Sequence, residues 1–506
     1  MPQKIKSFHP LMVVGTGSHV GKSVLCAGLC RVFRQMGVKV APFKAQNMAL
    51  NSGITPEGGE MGRAQITQAE AAGVTPHVDM NPILLKPTSD IGSQVVLLGQ
   101  VLGNYKGVNY YKLKSTLVPK VMAAFERLKN AYELVILEGA GSCAEVNLKQ
   151  NDLVNMSMAL RARAKVLIVA DIDAGGVFAQ ILGTLDLLPP EERELVAGIV
   201  INKFRGDPTL FQEGIRFIEE KGGKPVLGLI PHFDHIQLPQ EDGVALERGE
   251  LKTKAGSIRV GVVRLSHISN YTDADVLASE EAVELHWVDS PGQLAGLDLL
   301  ILPGSKNTLA ALSGLKKSGL YEAIPKFHQL GGKILGLCGG YQLLGKEISD
   351  PLGVEGPPSR EKGLGLLDMT TEMQGQKTTT RARAMCLKDL PFSADGVISG
   401  YEIHMGATSA LGIDRPALRL ISRLDQDVNL KEGQVSQSGR VVGTYLHGFL
   451  DNDSLRLALL NWVKDGKEDF SSGFDYAGFK DRQYDLLADH LRKHLNLDEL
   501  TAAIEL

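Results

Sequence analysis

The sequence predicts two successive α/β units, each built on a parallel sheet, and three observations predict them. Short apolar runs alternate with helical stretches along most of the chain. A glycine-containing loop within residues 11–23 (LMVVGTGSHVGKS) joins the first run to a helix. A second strand-to-helix turn, residues 334–344 (ILGLCGGYQLL), carries a cysteine at its corner. Continuous apolar strands separated by helices belong to a sheet covered on both faces, and such sheets bind ligands at the carboxyl ends of their strands.

The first unit is expected over residues 1–235. Its strands are residues 11–14, 38–43, 134–137, 166–170, 197–201 and 226–230, several ending in polar or glycine-rich clusters: GTGSHVGKS, KAQNM, EGAGS, DIDAGG and NKFRGD. Residues 232–257 are polar and turn-rich, and 236–257 read as the inter-domain connection. His232 and His235 flank Asp234 there, but with no cysteine or further histidine close by they read as solvated loop residues. The second unit, 258–455, is expected to contain strands at 258–264, 297–302 and 333–337, a helix at 273–284, and glycine-rich β segments up to 441–445. Residues 456–506 read as a helical extension, in which YDLLADHLRKHLNLDEL places leucines on one face as a packing helix does.

Composition fits this plan. A chain of 506 residues exceeds the ~100–200 residues of one domain. With 43% hydrophobic and 22% charged residues it has material for more than one core. The net charge of −4 and the lack of a long basic run give no indication of a nucleic-acid partner. Five cysteines, odd in number and mostly far apart, fit a reducing compartment, and Cys26 and Cys30 read as small buried residues of one helix. The N-terminus lacks a secretory apolar core and no segment is apolar enough to span a bilayer, so a cytoplasmic protein without a membrane partner is expected.

Two stretches carry chemistry. In the first, Thr16, Gly17 and Gly21-Lys22-Ser23 form a phosphate cradle: backbone N–H groups and the helix N-terminus supply partial positive charge, Lys22 reaches outer phosphates, and the Ser23 hydroxyl suits Mg²⁺. The glycine expected five places before Gly21 is Thr16, with Gly15 one place earlier. In the second, Gly336 and Gly340 flank Cys338, a pattern that permits a strained turn pushing the thiol out above the sheet. The Gly339 N–H is placed to serve an oxyanion hole, with Gly304 of the LPGSKN loop as a second donor. His447, after the late strand, is the candidate base. An inert buried cysteine is the structural alternative.

These motifs carry a family resemblance. The second half resembles a class I, triad-type glutamine amidotransferase domain. The first half resembles the dethiobiotin-synthetase-like branch of P-loop proteins, in which Gly15 followed six places later by Gly21-Lys22 is the usual spacing. Together they resemble the cobyrinate amidotransferases over residues 8–455. FKAQNMALNSG, EMGRAQITQAEAA, MNPILLKPTSDIGSQVV, ISGYEIHMG and GTYLHG are similar to the branch that amidates four carboxylates. The resemblance implies an ATP- and Mg²⁺-dependent ligase acting on a corrinoid carboxylate substrate and glutamine. It would convert adenosylcobyrinic acid a,c-diamide to adenosylcobyric acid. By the same resemblance Gly21, Lys22 and Ser23 hold phosphates and metal, Lys44 lies by the reacting phosphate, and Glu138 is an acidic Mg²⁺ ligand with Glu60 as a second. Asn202 and Lys203 contact the base, and Cys338 and His447 run the glutaminase. Gln46, Asn47, Arg63, Asn81 and Lys86 are readable as substrate contacts or as structural residues.

Plain alternatives stand beside these roles: a loop carboxylate for Glu138, a first-turn residue for Glu60, a strand-end lysine for Lys44, and an ordinary turn for Asn202-Lys203. One position departs from the general glutaminase pattern. Two residues after the histidine, where an orienting glutamate is usual, stands Phe449, so the partner of His447 is open, with Glu402 a guess. Competing functions are amidation of the a and c carboxylates, a non-catalytic P-loop switch, and amidation of a cell-wall carboxylate.

Overall fold

In the computed structural model, residues 8–89, 92–238, 257–466, 470 and 474–506 are described. The expected 236–257 connection therefore falls mostly outside the described residues. The strands, in chain order, are β1 (Leu11–Gly15), β2 (Val40–Phe43), β3 (Gln46–Met48), β4 (Ser52–Ile54), β5 (Glu60–Gly62), β6 (Ile83–Ser89), β7 (Gly92–Leu97), β8 (Gln100–Lys106), β9 (Leu134–Glu138), β10 (Lys165–Asp171), β11 (Val196–Phe204) and β12 (Val226–Pro231). Six of them form a parallel sheet in the order β12-β11-β10-β1-β9-β2. β1, β9 and β10 are almost wholly apolar and lie under helices on both faces. That is the burial their unbroken Val/Ile/Leu runs require.

An insertion between β2 and the helix Gly107–Ala131 escaped the sequence reading. It contains the sheet β3-β6-β7-β8 and the antiparallel ribbon β4–β5. Side chains alternate across a strand, so Leu85 and Pro87 of β6 face one side while Lys86 faces the other.

The second unit contains β13 (Ile258–Val263), β14 (Val283–Val288), β15 (Leu299–Leu302), β16 (Lys333–Leu337), β17 (Glu347–Asp350), β18 (Ser359–Lys362), β19 (Met369–Cys386), β20 (Ile398–Ala410), β21 (Leu418–Arg423), β22 (Gln426–Glu432), β23 (Gln434–Val435), β24 (Val441–Thr444) and β25 (Leu446–His447). One sheet runs β14-β13-β15-β16-β24-β23, parallel except for β23. The other runs β18-β17-β19-β20-β25, with β21 on β19 and β22 on β21. The helix expected at 273–284 is a correction: only Asp275–Ser279 is α-helical, and β14 follows at once. The reason lies in VELHWV, whose alternating apolar residues pair with β13.

In the C-terminal extension, helix Asp453–Val463 still packs into the core of the second unit, while the later helices turn back onto the first. Helix Tyr476–His494 lies on helix Lys22–Gln35, with Leu487 and Leu491 against Gly28, where any Cβ would collide with them. Arg31 Nη1 and Nε reach Asp481 at 2.9 Å and Asp485 at 2.7 Å. Beyond that helix, the Asn496 N–H donates to Leu227 of β12. Among the described residues no helix is long and apolar enough to cross a membrane.

Candidate functional site

The phosphate-type loop sits where β1 meets helix Lys22–Gln35. Gly21 has φ +100°, and a Cβ there would strike the Asn202 amide; a Cβ on Gly15 would crowd Val20, Gly17 O and Lys22 Nζ. Only glycine keeps both approaches open. Lys22 Nζ donates to Gly17 O at 2.8 Å and Gly141 O at 2.9 Å, so the lysine spans this loop and the EGAGS loop after β9. Burial lowers its pKa, against the pull of Glu138.

Glu138, at the end of β9, is the hub. Its Oε1 accepts from Ser23 Oγ at 2.7 Å and Lys44 Nζ at 2.8 Å, and its Oε2 accepts from Gln68 Nε2 at 2.6 Å. Burial alone would raise its pKa, but Lys44 and these donors hold it below the usual carboxylate value. Gln65 Nε2 reaches the same oxygen at 3.3 Å. Neither glutamine was singled out from sequence. Their i, i+3 spacing in RAQITQAEAA, which puts both on one helix face, is the signal that could have found them.

A cavity of about 1640 Å³ opens from this point. Gly21, Lys22, Ser23, Lys44, Gln46, Asn47, Glu138 and Lys203 line it, together with Tyr105 and Tyr110 of the insertion. His267 of the second unit lines it too. Several expected contacts do not. Asn202 is turned under the loop, its Nδ2 donating to Val20 O at 2.8 Å. Thr16 Oγ1 donates to Gln180. The Asn81 amide is spent on the backbone oxygens of Lys44 and Ile83. Arg63 is half-buried, near enough to Glu70, Tyr401 and Asp451 to interact with them. Lys86 lies on the far face of β6, where its Nζ is 2.7 Å from Glu60 Oε1, and Lys377 Nζ of β19 is 2.5 Å from Glu60 Oε2. Two lysines thus saturate Glu60 at the junction between the units. Glu60, expected as a second metal ligand, and Lys86, readable as a substrate contact or a structural residue, are paired with each other here and neither lines the cavity.

Lys203 ion-pairs with Asp171 at 2.6 Å and donates to His19 O, fixing the far rim of the loop. Ser23 and Glu138 converge at the loop as a small hard-oxygen pair, which suits a Mg²⁺ that takes its remaining ligands from phosphate and water. Among the described residues no cluster of three His, Cys, Asp or Glu could hold a metal by itself.

The second site forms where β16 ends. Cys338 has φ 50° and ψ −106°, the strained corner that its flanking glycines allow. A Cβ on Gly340 would run into the Leu302 carbonyl. Gly339 begins helix Gly339–Leu344, where amides lack helical acceptors, and packs against the Ser305 backbone. Gly304 faces the ring of His447, whose Cε1 lies 3.5 Å from where a Gly304 Cβ would stand. Cys338 is 8% exposed and its Sγ lies 3.3 Å from Ile403 O.

His447 Nδ1 lies 2.6 Å from Asp273 Oδ2, and the Gly448 N–H donates to Asp273 Oδ1 at 2.6 Å. Burial would lower the His447 pKa, but the adjacent Asp273 carboxylate and the neighbouring Cys338 outweigh it and push the value up to about 10. Among the described residues Nε2 has no partner of hydrogen-bond geometry, yet Cys338 is close enough to interact with the imidazole. Tyr401 stacks on the ring, centroids 5.4 Å apart.

The open question of the orienting partner closes on Asp273 and excludes Glu402. Tyr401 stands opposite His447 in the β20–β25 ladder, so its neighbour Glu402 projects to the other face, where Arg423 holds it through two 2.8 Å hydrogen bonds. Asp273 lies 174 residues before His447, inside a stretch expected to be helix, and no local signal marks it.

Comparison with known proteins finds a family match for each unit. Residues 11–244 match the CobQ/CobB/MinD/ParA nucleotide binding domain, and residues 259–455 match the CobB/CobQ-like glutamine amidotransferase domain. The chain is 51% identical to a cobyric acid synthase of Syntrophobacter fumaroxidans, covering 98% of this chain and 99% of that one. It is 49% identical to a cobyric acid synthase of Klebsiella pneumoniae and 47% identical to one of Salmonella typhimurium, each match covering 97% of both chains.

Proposed function

The chain belongs to the cobyric acid synthase family, and from that premise we propose how its two sites divide the reaction. The protein is an ATP- and glutamine-dependent ligase of cobalamin biosynthesis. It amidates the four remaining peripheral carboxylates, b, d, e and g, of adenosylcobyrinic acid a,c-diamide. The observation that carries the division of labour is the placement, in one chain, of a nucleotide loop with a cavity and a Cys338–His447–Asp273 constellation.

In the first unit, a carboxylate oxygen of the corrinoid attacks the γ-phosphorus of ATP, giving an acyl phosphate and ADP. Ammonia then attacks the acyl carbon, and phosphate leaves. The N–H groups of the loop and Lys22 hold the phosphates, and Lys44 neutralises charge at the transferred group. Ser23 and Glu138 would hold Mg²⁺, which when bound screens the phosphate charges. Gln65 and Gln68 orient Glu138, and Asn202 sets the loop. Gln46, Asn47 and Tyr110 on the cavity wall are suited to the corrinoid's amides and carboxylates.

In the second unit, Cys338 Sγ attacks the glutamine amide carbon. The Gly339 N–H, with Gly304 beside it, faces the developing oxyanion. Asp273 holds the imidazole so that Nε2 addresses the sulfur. The proton His447 carries passes to the departing nitrogen, which leaves as ammonia, and water then hydrolyses the thioester to glutamate.

The test is incubation with the a,c-diamide, ATP, Mg²⁺ and glutamine, with mass analysis of the corrinoid. Four successive replacements of OH by NH₂ are expected. A product that stops after none, or one that forms without ATP, would sink the reading.

A further inference from the structure

Residues 266–273 follow β13 and touch every part of the machinery. At one end, His267 lines the large cavity of the first unit. Along its middle, the segment is zipped by backbone to the loop carrying Gly304. The Ser269 N–H donates to Gly304 O at 2.9 Å, the Lys306 N–H donates to His267 O at 2.9 Å, and Ser305 Oγ donates to Ser266 O at 2.8 Å. At the other end, Asp273 holds His447. Between them, Asn270 is 3% exposed, and its Oδ1 accepts the Ser52 N–H of the first unit at 3.0 Å. His267 (φ 54°) and Asn270 (φ 51°) both adopt the left-handed conformation that non-glycine residues avoid.

Ser52 is itself fastened to the cavity wall. Its Oγ donates to Glu60 Oε1 at 2.8 Å and accepts from Lys86 Nζ at 2.8 Å. Lys86 lies on β6 between Leu85 and Pro87, which line the cavity from the opposite face. The Ser52 carbonyl also receives the hydroxyl of Tyr401, the ring stacked on His447, at 3.4 Å. A contiguous set of contacts therefore runs from the cavity wall through Lys86 and Ser52 to Asn270 and Asp273.

We propose that residues 266–273 are a coupling strap in which Asn270 is the positioning residue. ATP and corrinoid in the cavity, meeting His267 and the β6 wall, set Asp273 against His447 and thereby switch on glutamine hydrolysis. This rests on the assignment of the cavity to nucleotide and corrinoid. The strap reaches both the orienting carboxylate and the Gly304 loop, so a small shift acts on base and oxyanion site together, and free ammonia is released only when an acceptor waits.

The test measures glutaminase rate with and without ATP, Mg²⁺ and the a,c-diamide, and separately measures amidation driven by ammonium salt. In Asn270→Gly, which keeps the left-handed backbone but removes the acceptor oxygen, stimulation by the loaded first unit should fall about ten-fold. Ammonium-driven amidation should be unchanged, and Asn270→Asp should restore stimulation. Tyr401→Phe, which keeps the stacked ring, should lower stimulation in the same direction and stands in if the glycine variant does not fold. An unchanged stimulation factor overturns the proposal, and so does an equal fall of resting and stimulated rates, which a merely structural role predicts. Loss of ammonium-driven amidation in the unaltered enzyme would instead overturn the assigned function.

Discussion

Between β1 and its helix the chain spends residues 16–21, whereas between β16 and its helix it spends Cys338 alone. Both are strand-to-helix corners at the carboxyl end of a parallel sheet, yet their chemistry diverges. The longer corner leaves a row of backbone N–H groups and a lysine around a wide cavity, suited to a large anionic ligand. The one-residue corner strains the backbone and presents a single thiol in a nearly closed site. What stands opposite finishes the distinction: Glu138, held by Lys44, Ser23 and Gln68, in one case, and His447 with Asp273 in the other. Loop length sets which ligand fits, and the facing residues set what happens to it.

The largest expected effect separates the corners completely. Cys338→Ala should lower glutamine-dependent amidation by at least about 10⁴-fold while ammonium-driven amidation persists. Retained glutamine use, measured as glutamate release, would remove the thiol from the mechanism. Lys22→Ala should reduce amidation from both nitrogen sources by roughly 10³-fold, because it removes a charge stabilising the transferred phosphoryl group. ADP release with ammonium as the nitrogen source reads this directly.

Asp273→Asn should lower the glutaminase kcat by about 10²–10³-fold, since His447 loses its orienting anion. Glu402→Gln should leave that rate within a few-fold by the same assay, and the opposite ranking would reinstate Glu402. The pair also carries a pH signature. Asp273, together with Cys338, raises the folded-state pKa of His447 from 6.5 to about 10, so the stability this pairing confers is complete below the unfolded value of 6.5. It is lost as pH rises through about 10. In urea unfolding, the advantage of the wild type over Asp273→Asn should therefore shrink from pH 6 to pH 10. The smallest effect is on the tail: Arg31→Ala should cost only about 1 kcal/mol, because Asp481 and Asp485 are about half exposed and solvent screens the pairs.

The two parallel sheets apart from β14, both corners, Lys22, Ser23, Glu138, Cys338 and His447 were legible in the sequence. Glu138 and His447 simply follow apolar strands and owe their expected roles to the family resemblance. Lys22, Ser23 and Cys338 belong to local patterns in which an apolar run, glycines at fixed offsets and a helix start all lie within about a dozen residues. Such patterns survive in a linear reading because backbone sterics and strand burial act on near neighbours. Tertiary structure alone decided what pairs across distance. It chose Asp273 over Glu402 through the alternation of β20 against β25. It spent Glu60 and Lys86 on the junction with Lys377, and it sent the C-terminal helix back to the first unit. These outcomes turn on which face of a strand meets which neighbour, and spacing along the chain does not encode that.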